Sequence, residues 1–355
     1  MTGKKILLTG ATGYIGGTVL TALMKSEAGS VKGVAISVLV RGEHQARIFR
    51  DNGLATIDFK GFDDDATLRK VASEHDVVIN AASGFEAGLA TSLIRGLAER
   101  KNALGLGVHY IHTSGTTNYA DSPTLTLYPG YTADTISDKE PTKVVSTLRR
   151  LNEQNMYAQR TTDLTVLSVG QETGVSTHII TIPMLFGFGT GFFRKLSGQL
   201  PILMGEALRE KQMWIVGDGK GIKQHVHIED AAAVYELVLQ RVLAGLDVLS
   251  GEDGIIFVEN GQHSWNEAGE AIARAGKKLG VLNTEQVKRL HLAEAARTLG
   301  TEDINYVEVA YASTSRVSAE TARSLGWQPT WPKASIWDFI EPEWKAVLDE
   351  KGQGR

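Results

Sequence analysis

Short apolar runs alternate with helical patterns through the first half of the chain. Runs of strand length fall at Lys5–Leu8, Ala35–Val40, Thr56–Phe59, Val77–Asn80 and His109–His112. Between them Tyr14–Lys25, Glu43–Arg50, Asp65–Glu74 and Glu86–Arg100 carry apolar residues at helical spacing. Val77–Ile79 is apolar throughout, and Ile36–Val40 is broken only by Ser37, rather than alternating, as strands covered on both faces are. This βαβα order predicts an α/β fold of the Rossmann type, a doubly wound parallel sheet with helices on both faces. From Asn118 to Glu140 the residues are Tyr, Pro, Gly, Thr and Asp without a helical period, which predicts a long loop. A helical pattern resumes around Thr161–Gly170, and Thr177–Ile182, closed by Pro183, is expected to add a sixth strand.

Beyond Phe186 the alternation becomes irregular, although Asp230–Arg241 and Trp265–Leu279 keep amphipathic spacing. The expected division is a dinucleotide-binding domain over 1–185, rejoined by a segment near 213–245, and a smaller α/β substrate lobe over most of 186–355.

The 355 residues are 42% hydrophobic and 22% charged, the balance of a soluble globular protein. A net charge of −4 with no basic run argues against nucleic acid as a partner. With no cysteine there are no disulfides and no thiolate chemistry, and a reducing compartment fits. The apolar lead before Thr9 is too short for a signal peptide, and nothing approaches the ~18 uncharged apolar residues of a membrane span. The chain is therefore expected to be cytoplasmic, with no membrane partner.

Residues 6–17 read ILLTGATGYIGG, a buried strand running into glycines at G-x-x-G-x-x-G spacing and then into a helix. In such a turn the first glycine (Gly10) permits the tight bend and the middle one (Gly13) lets backbone N–H groups approach a pyrophosphate. The third (Gly16) packs the helix closely, and the helix N-terminus adds positive potential. Gly10, Thr12, Gly13, Tyr14, Ile15 and Gly16 are the candidate contacts. Some 20 residues on, at the end of the second strand, a carboxylate would accept ribose hydroxyls; Arg41 stands there instead. Its guanidinium suits a 2′-phosphate, with Arg47 as a second cation, so NADP is favoured over NAD. The alternative leaves Arg41 solvated, with Glu43 serving an NAD ribose.

With these residues in place the chain resembles the extended short-chain dehydrogenases/reductases, in the branch of NAD-dependent epimerases/dehydratases and NmrA-like proteins, including fungal members without an assigned activity. The resemblance spans most of the chain. It rests on Thr9–Gly16, Asp76–Ala82, Tyr110–Ser114, Pro183–Gly187, Val226–Asp230 and Leu325–Pro329, in that order. It implies that Ala81, Ala82 and Ser83 pass beneath the cofactor, with Thr113 in the same set. It also implies that Asp63 lies near the adenine and that backbone around Pro183, Leu185 and Phe186 meets the nicotinamide.

Relatives that transfer hydride place Ser or Thr after the fifth strand and Tyr-x-x-x-Lys on the next helix. A tyrosine of pKa ~10 exchanges a proton with substrate oxygen, and a nearby ammonium lowers that pKa. This chain departs twice. Tyr157-Ala158-Gln159-Arg160-Thr161 has Thr for Lys, with Arg160 one position short and so about 100° round a helix. Gly115 stands where relatives carry the serine, leaving Ser114, Thr116 or Thr117. The catalytic candidates are Tyr157, Thr116 and Ser114, with Arg160 in support; the other outcome is that Tyr157 is a wall residue. Tyr128 and Tyr131, in the long loop, are lids or packing residues, or reach over the nicotinamide.

No metal is expected. His225 and His227 are read as facing opposite sides of a strand, and His109 and His112 lack a carboxylate or cysteine at ligand spacing. By the resemblance, His227 and Asp230 tie a strand to the following helix. Gly217–Gly221 reads as a turn rather than a phosphate loop, and Trp327, Trp331, Trp337 and Trp344 as packing. The function expected is an NADP-dependent oxidoreductase or epimerase-like enzyme acting on a small organic molecule. The alternative is a nucleotide-binding sensor of the NmrA-like type. Arg194, Lys195 and Lys223 are the possible holders of a substrate diphosphate, and a homodimer is possible.

Overall fold

The structure is a computed structural model that describes residues 4–353. Strands β1 (Lys5–Thr9), β2 (Ala35–Val40), β3 (Ala55–Asp58), β4 (Val77–Asn80) and β5 (His109–Gly115) alternate with helices α1 (Tyr14–Lys25), α2 (Glu43–Asp51), α3 (Asp65–Ser73) and α4 (Ala87–Leu104). Ser176–Ile182 and Ile255–Phe257 complete a seven-stranded sheet in the order Ile255–Phe257, Ser176–Ile182, β5, β4, β1, β2, β3. Every pairing in it is parallel, with Leu8 level with Ile79 and Ile79 level with Ile111. The apolar runs are buried where two helical layers meet the sheet: Ile6, Leu7, Leu8, Val78, Ile79 and Ile111 have no exposed surface. The chain builds outward from β1 to β3 and then in the opposite direction from β4. The crevice at the strands' carboxyl ends therefore lies between β1 and β4, where such sheets hold ligands.

Two further helices follow β5: α5 (Pro141–Gln154) and α6 (Ala158–Thr173). The second spans more than the pattern around Thr161–Gly170, and the first lies in a stretch without a predicted element. The 118–140 stretch holds a 3₁₀ turn at Thr116–Tyr119 and a two-residue strand, Ile136–Ser137, paired with Val317–Ser318. It is anchored by the buried Glu308 carboxylate, which accepts from Ser122 Oγ and the amides of Thr124 and Leu125.

A second apolar core is built on Gln199–Glu210, Trp265–Lys278 and Ile336–Gln353, with Trp214, Trp265, Ile272 and Trp344 at its centre. A three-stranded sheet joins the two cores: Ile222–His227 lies between Met184–Phe186 and Gln262–Ser264. Return of the chain to the first core is later than the segment near 213–245 suggests. Trp214–Val216 belongs to the second core, whereas Ile228–Leu243 packs on α1 and Ile255–Phe257 becomes the edge strand of the large sheet. Gly217–Gly221 is the turn between Trp214–Val216 and Ile222–His227.

The Val226–Asp230 and Leu325–Pro329 motifs meet. His227 Nδ1 accepts from the Glu229 amide and caps the helix Ile228–Leu243. Asp230 accepts from the amides of Thr330 and Trp331, and its carbonyl from Trp327 Nε1. His225 and His227 share one face of their strand, as residues two apart do, and both rings stand edge-on to Phe186; the opposite-side expectation is corrected. Trp331 stacks on His227 at 4.0 Å, and Trp327 and Trp344 are buried. Among the described residues no helix is long and apolar enough to cross a membrane.

Candidate active site

The glycine turn is positioned by steric necessity. Gly10 has φ +75°, and a Cβ there would lie 2.4 Å from the Ala81 carbonyl oxygen; one on Gly16 would lie 2.3 Å from that of Gly10. Gly13 N donates to Gly10 O at 2.9 Å, and Gly13 is the N-cap of α1 without a side-chain cap. The first-turn amides of Tyr14, Ile15 and Gly16 consequently have no intrahelical acceptor, and no acidic residue lies in that turn. They fit an anionic diphosphate.

Tyr14 is half of a brace behind this turn. Its hydroxyl donates to Gly187 O at 2.7 Å, and Gly187 N donates to the buried carboxylate of Glu343. Burial raises Glu343 to about 8 against the hydrogen bonds from Gly187 and Ser197, and burial with Glu343 raises the Tyr14 hydroxyl. Thr12 is held from the far side, its carbonyl accepting from Arg194 N at 3.5 Å.

Just past β2, Arg41 is exposed and its guanidinium stands 5.9 Å over the Phe62 ring; Asp63, next to Phe62 in the chain, is exposed too. Arg47 is exposed on α2, and Glu43 is paired with Arg50.

A cavity of about 430 Å³ opens at the carboxyl edge of the sheet. Of the expected cofactor residues, Tyr14, Ile15, Ala81, Ala82, Ser83, Thr113, Pro183 and Leu185 line it, as do Ser114, Thr116 and Tyr157. Phe186 does not: its ring is buried against His225 and His227 in the second lobe, so of the expected stretch Pro183–Leu185 faces the cavity.

Geometry redistributes the hydroxyls. Ser114 Oγ donates to the buried carboxylate of Asp163 at 2.7 Å, which also takes Asn118 Nδ2, so this hydroxyl is committed to the core. Thr116 Oγ1 faces Ser315 Oγ at 3.5 Å. Thr117 instead supplies the hydroxyl beside Tyr157, because the 3₁₀ turn rotates successive side chains and brings Thr117 to the cavity. Burial raises the Tyr157 hydroxyl to about 12, opposed by Thr117 and then Arg160.

Tyr157 is the N-cap of α6. Arg160 is fully buried beneath it, 5.3 Å from its ring and 4.9 Å from that of Tyr128, donating to Asn118 O, Asn155 O and Tyr128 Oη. Thr161, in the lysine's position, turns to Asn152 Oδ1. Tyr128 is thus tied to Arg160 and Tyr131 to Tyr119 O, and both pack rather than reach the cavity.

One residue escaped the sequence reading. Gln159, nearly buried, lies where a side chain at position 115 would go: a Cβ on Gly115 would fall 2.9 Å from its Oε1. Its Oε1 accepts from Thr117 at 2.8 Å. Lys223 also lines the cavity, its ammonium donating to Val309 O and Ser313 Oγ, and burial lowers it to about 7. Arg194 and Lys195 are exposed and do not line the cavity.

A model of the NAD dependent epimerase/dehydratase family matches residues 6–249. Oxidase ucsJ of Acremonium sp is 27% identical over 343 residues, covering 93% of this chain and 94% of that protein. The Saccharomyces cerevisiae protein YLL056C is 25% identical over 333 residues, covering 92% and 94%. Among solved structures, a double mutant of DesIV, the dTDP-glucose 4,6-dehydratase of Streptomyces venezuelae, with NAD bound, superposes with a TM-score of 0.65 at 14% identity, covering 98% of each chain.

Proposed function

The chain belongs to the NAD dependent epimerase/dehydratase family, and from that premise we propose that it is an NADP-dependent oxidoreductase that reduces a carbonyl group of a small organic molecule. One observation carries this reading: the uncapped first turn of α1 and the Tyr157 hydroxyl open onto the same cavity, so a dinucleotide on the turn and a proton donor share one cleft. DesIV, of the same fold, carries NAD in its crystal structure, which supports a dinucleotide here.

The amides of residues 14–16 would hold the pyrophosphate, Ala81–Ser83 and Pro183–Leu185 the nicotinamide end, and Asp63 the adenine side. Arg41 over Phe62 favours the 2′-phosphate, and Glu43, paired with Arg50, is less available as a ribose acceptor. When bound, the nicotinamide supplies the hydride. Tyr157 holds the proton at the substrate oxygen. A phenol pushed up to about 12 is neutral at physiological pH, which suits donation, hence reduction, better than abstraction. Thr161, in the position where relatives carry the lysine, turns to Asn152 and agrees with this direction, since an ammonium there would lower that pKa.

The second reading, a sensor that binds nucleotide without turnover, is favoured by the commitment of Ser114 to Asp163 and of Thr161 to Asn152. Titration of NADPH and NADH followed by fluorescence, and then loss of NADPH absorbance with a panel of aldehydes and ketones, separates the two. A reductase binds NADPH in preference to NADH and consumes it; a sensor binds and consumes none. Failure to bind either nucleotide would sink both.

A further inference from the structure

The carbonyl end of the cavity differs in charge from a site for phosphorylated sugars. Lys223 is the single charged residue among the described residues that line it. Its buried position favours the neutral amine, and the two N–H donors of that form are taken by Val309 O at 2.9 Å and Ser313 Oγ at 2.8 Å. A diphosphate needs several fixed donors or cations to offset the loss of its hydration, and here a single amine is present with its donors already engaged. The cavity's 430 Å³ is small for a binding site that also receives the nicotinamide end of a cofactor against Ala81 and Ala82.

The mouth, by contrast, carries apolar surface. Phe85 is 44% and Tyr306 40% exposed, and both line the opening. Phe85 is not loose: its amide donates to Ser83 Oγ at 3.1 Å, and its ring meets Tyr157 edge-on at 5.9 Å. Large aromatics held open at a cleft mouth mark a surface that a ligand covers. One polar group remains for orientation. The Gln159 Oε1 is engaged by Thr117, which turns Nε2, a donor without a protein acceptor among the described residues, to the cavity next to Gly115.

We propose that the cavity takes an uncharged, ring-bearing aldehyde or ketone and excludes nucleoside-diphosphate sugars. The ring packs against Phe85 and Tyr306, and the carbonyl oxygen accepts from Gln159 Nε2 beside the Tyr157 hydroxyl. This rests on the reductase reading above. Gln159 thereby fills the place that Gly115 leaves without a hydroxyl. Reduction adds one hydride, from the reduced nicotinamide, to the carbonyl carbon and one proton, from Tyr157, to its oxygen; the products are the alcohol, the oxidised nucleotide and a Tyr157 phenolate that takes a proton back from solvent.

The test uses 2-acetonaphthone and UDP-glucose as probes on the full chain loaded with NADP⁺, with saturation-transfer NMR for binding and NADPH consumption for turnover. The ketone is expected to receive saturation at its ring protons and UDP-glucose none. Phe85→Ser and Tyr306→Ser, both at exposed positions, should raise KM for the ketone about tenfold with kcat within about twofold. Gln159→Leu should lower kcat/KM roughly 10- to 100-fold and leave NADPH affinity unchanged. Binding of UDP-glucose in preference to the ketone overturns the inference, as does NADPH binding without ketone binding, or a Gln159→Leu variant as active as the parent. Loss of NADPH binding itself would instead bring down the reading beneath it, and this with it.

Discussion

At the glycine-turn end of the cleft the chain offers backbone, and at the Tyr157 end it offers side chains. The turn presents amides that no side chain caps, and contacts so close that Gly10 and Gly16 admit no Cβ. The other end presents Tyr157, Thr117 and Gln159, with the Thr117 hydroxyl bonded to Gln159 and beside Tyr157. The difference teaches why the two ends respond differently to sequence change. A backbone cradle is all or nothing, because a single methyl group collides with Ala81. A side-chain site can be refitted piece by piece: Gln159 moves into the space Gly115 leaves, and Arg160 finds three acceptors beneath the tyrosine without an ammonium at position 161.

The strongest way to break this contrast is Gly10→Ala. The new methyl group combines a φ of +75° with a 2.4 Å approach to Ala81 O. Strain and overpacking together should cost about 2–4 kcal/mol and abolish nucleotide binding. Urea denaturation and a fluorescence titration check both. Normal affinity in this variant would mean that the turn is not the cradle.

Glu343 sharpens the contrast from behind, since the turn does depend on one buried carboxyl. Its folded value, about 8, lies above the unfolded ~4.3, so the native state favours the protonated form. The stability tied to it is complete below about pH 4.3 and is lost as pH rises through 8, by at most about 1.4 kcal/mol per pH unit. Glu343→Gln has no such decline. Denaturation at a series of pH values should show the variant gaining on the parent from pH ~4.3 to about 8 and a constant gap above. Parallel curves would show that the carboxyl is ionised in the fold.

Legibility in the sequence follows the same division. Tyr14–Lys25, Ala35–Val40 and Val77–Asn80 were readable to the residue because a strand buried on both faces is apolar in near succession, with Ser37 and the terminal Asn80 its only polar residues, and a helix pattern lies on either side. The glycine turn was readable because its chemistry is local. α5 carried a signal that went unread: Pro141 at its start and Val144, Val145, Leu148 and Leu151 on one buried face. Ile255–Phe257 is three residues long and gave no period to detect. Thr117 rather than Thr116 faces Tyr157 because of a 3₁₀ turn, and Gln159 matters because α6 brings it against β5; neither fact is contained in a local pattern. Lys223 was named as a candidate for a diphosphate, but its burial and its bonds to Val309 O and Ser313 Oγ come from segments far along the chain.

Tyr157→Phe probes the side-chain end. The ring over Arg160 stays, so stability should change by less than about 0.5 kcal/mol. Loss of the proton donor should lower kcat for ketone reduction about 100-fold, with NADPH affinity unchanged. Steady-state kinetics beside the nucleotide titration reads this split. Unchanged turnover would make Tyr157 a wall residue and pass the proton to another group.

The smallest effect belongs to Arg41, which bears on whether the turn end is backbone throughout. The guanidinium is exposed over Phe62 and touches no part of the glycine turn's hydrogen-bond network, so removing it leaves the pyrophosphate cradle intact. Its contribution should therefore appear in one nucleotide only. Arg41→Ala is expected to weaken NADPH about tenfold and NADH by less than about twofold, and added salt should narrow the gap between parent and variant because the contact is open to solvent. Equal weakening of both nucleotides would assign Arg41 to the adenine stack on Phe62 rather than to a 2′-phosphate. No change in either would leave the cofactor end to its backbone alone and restore NAD as the better candidate.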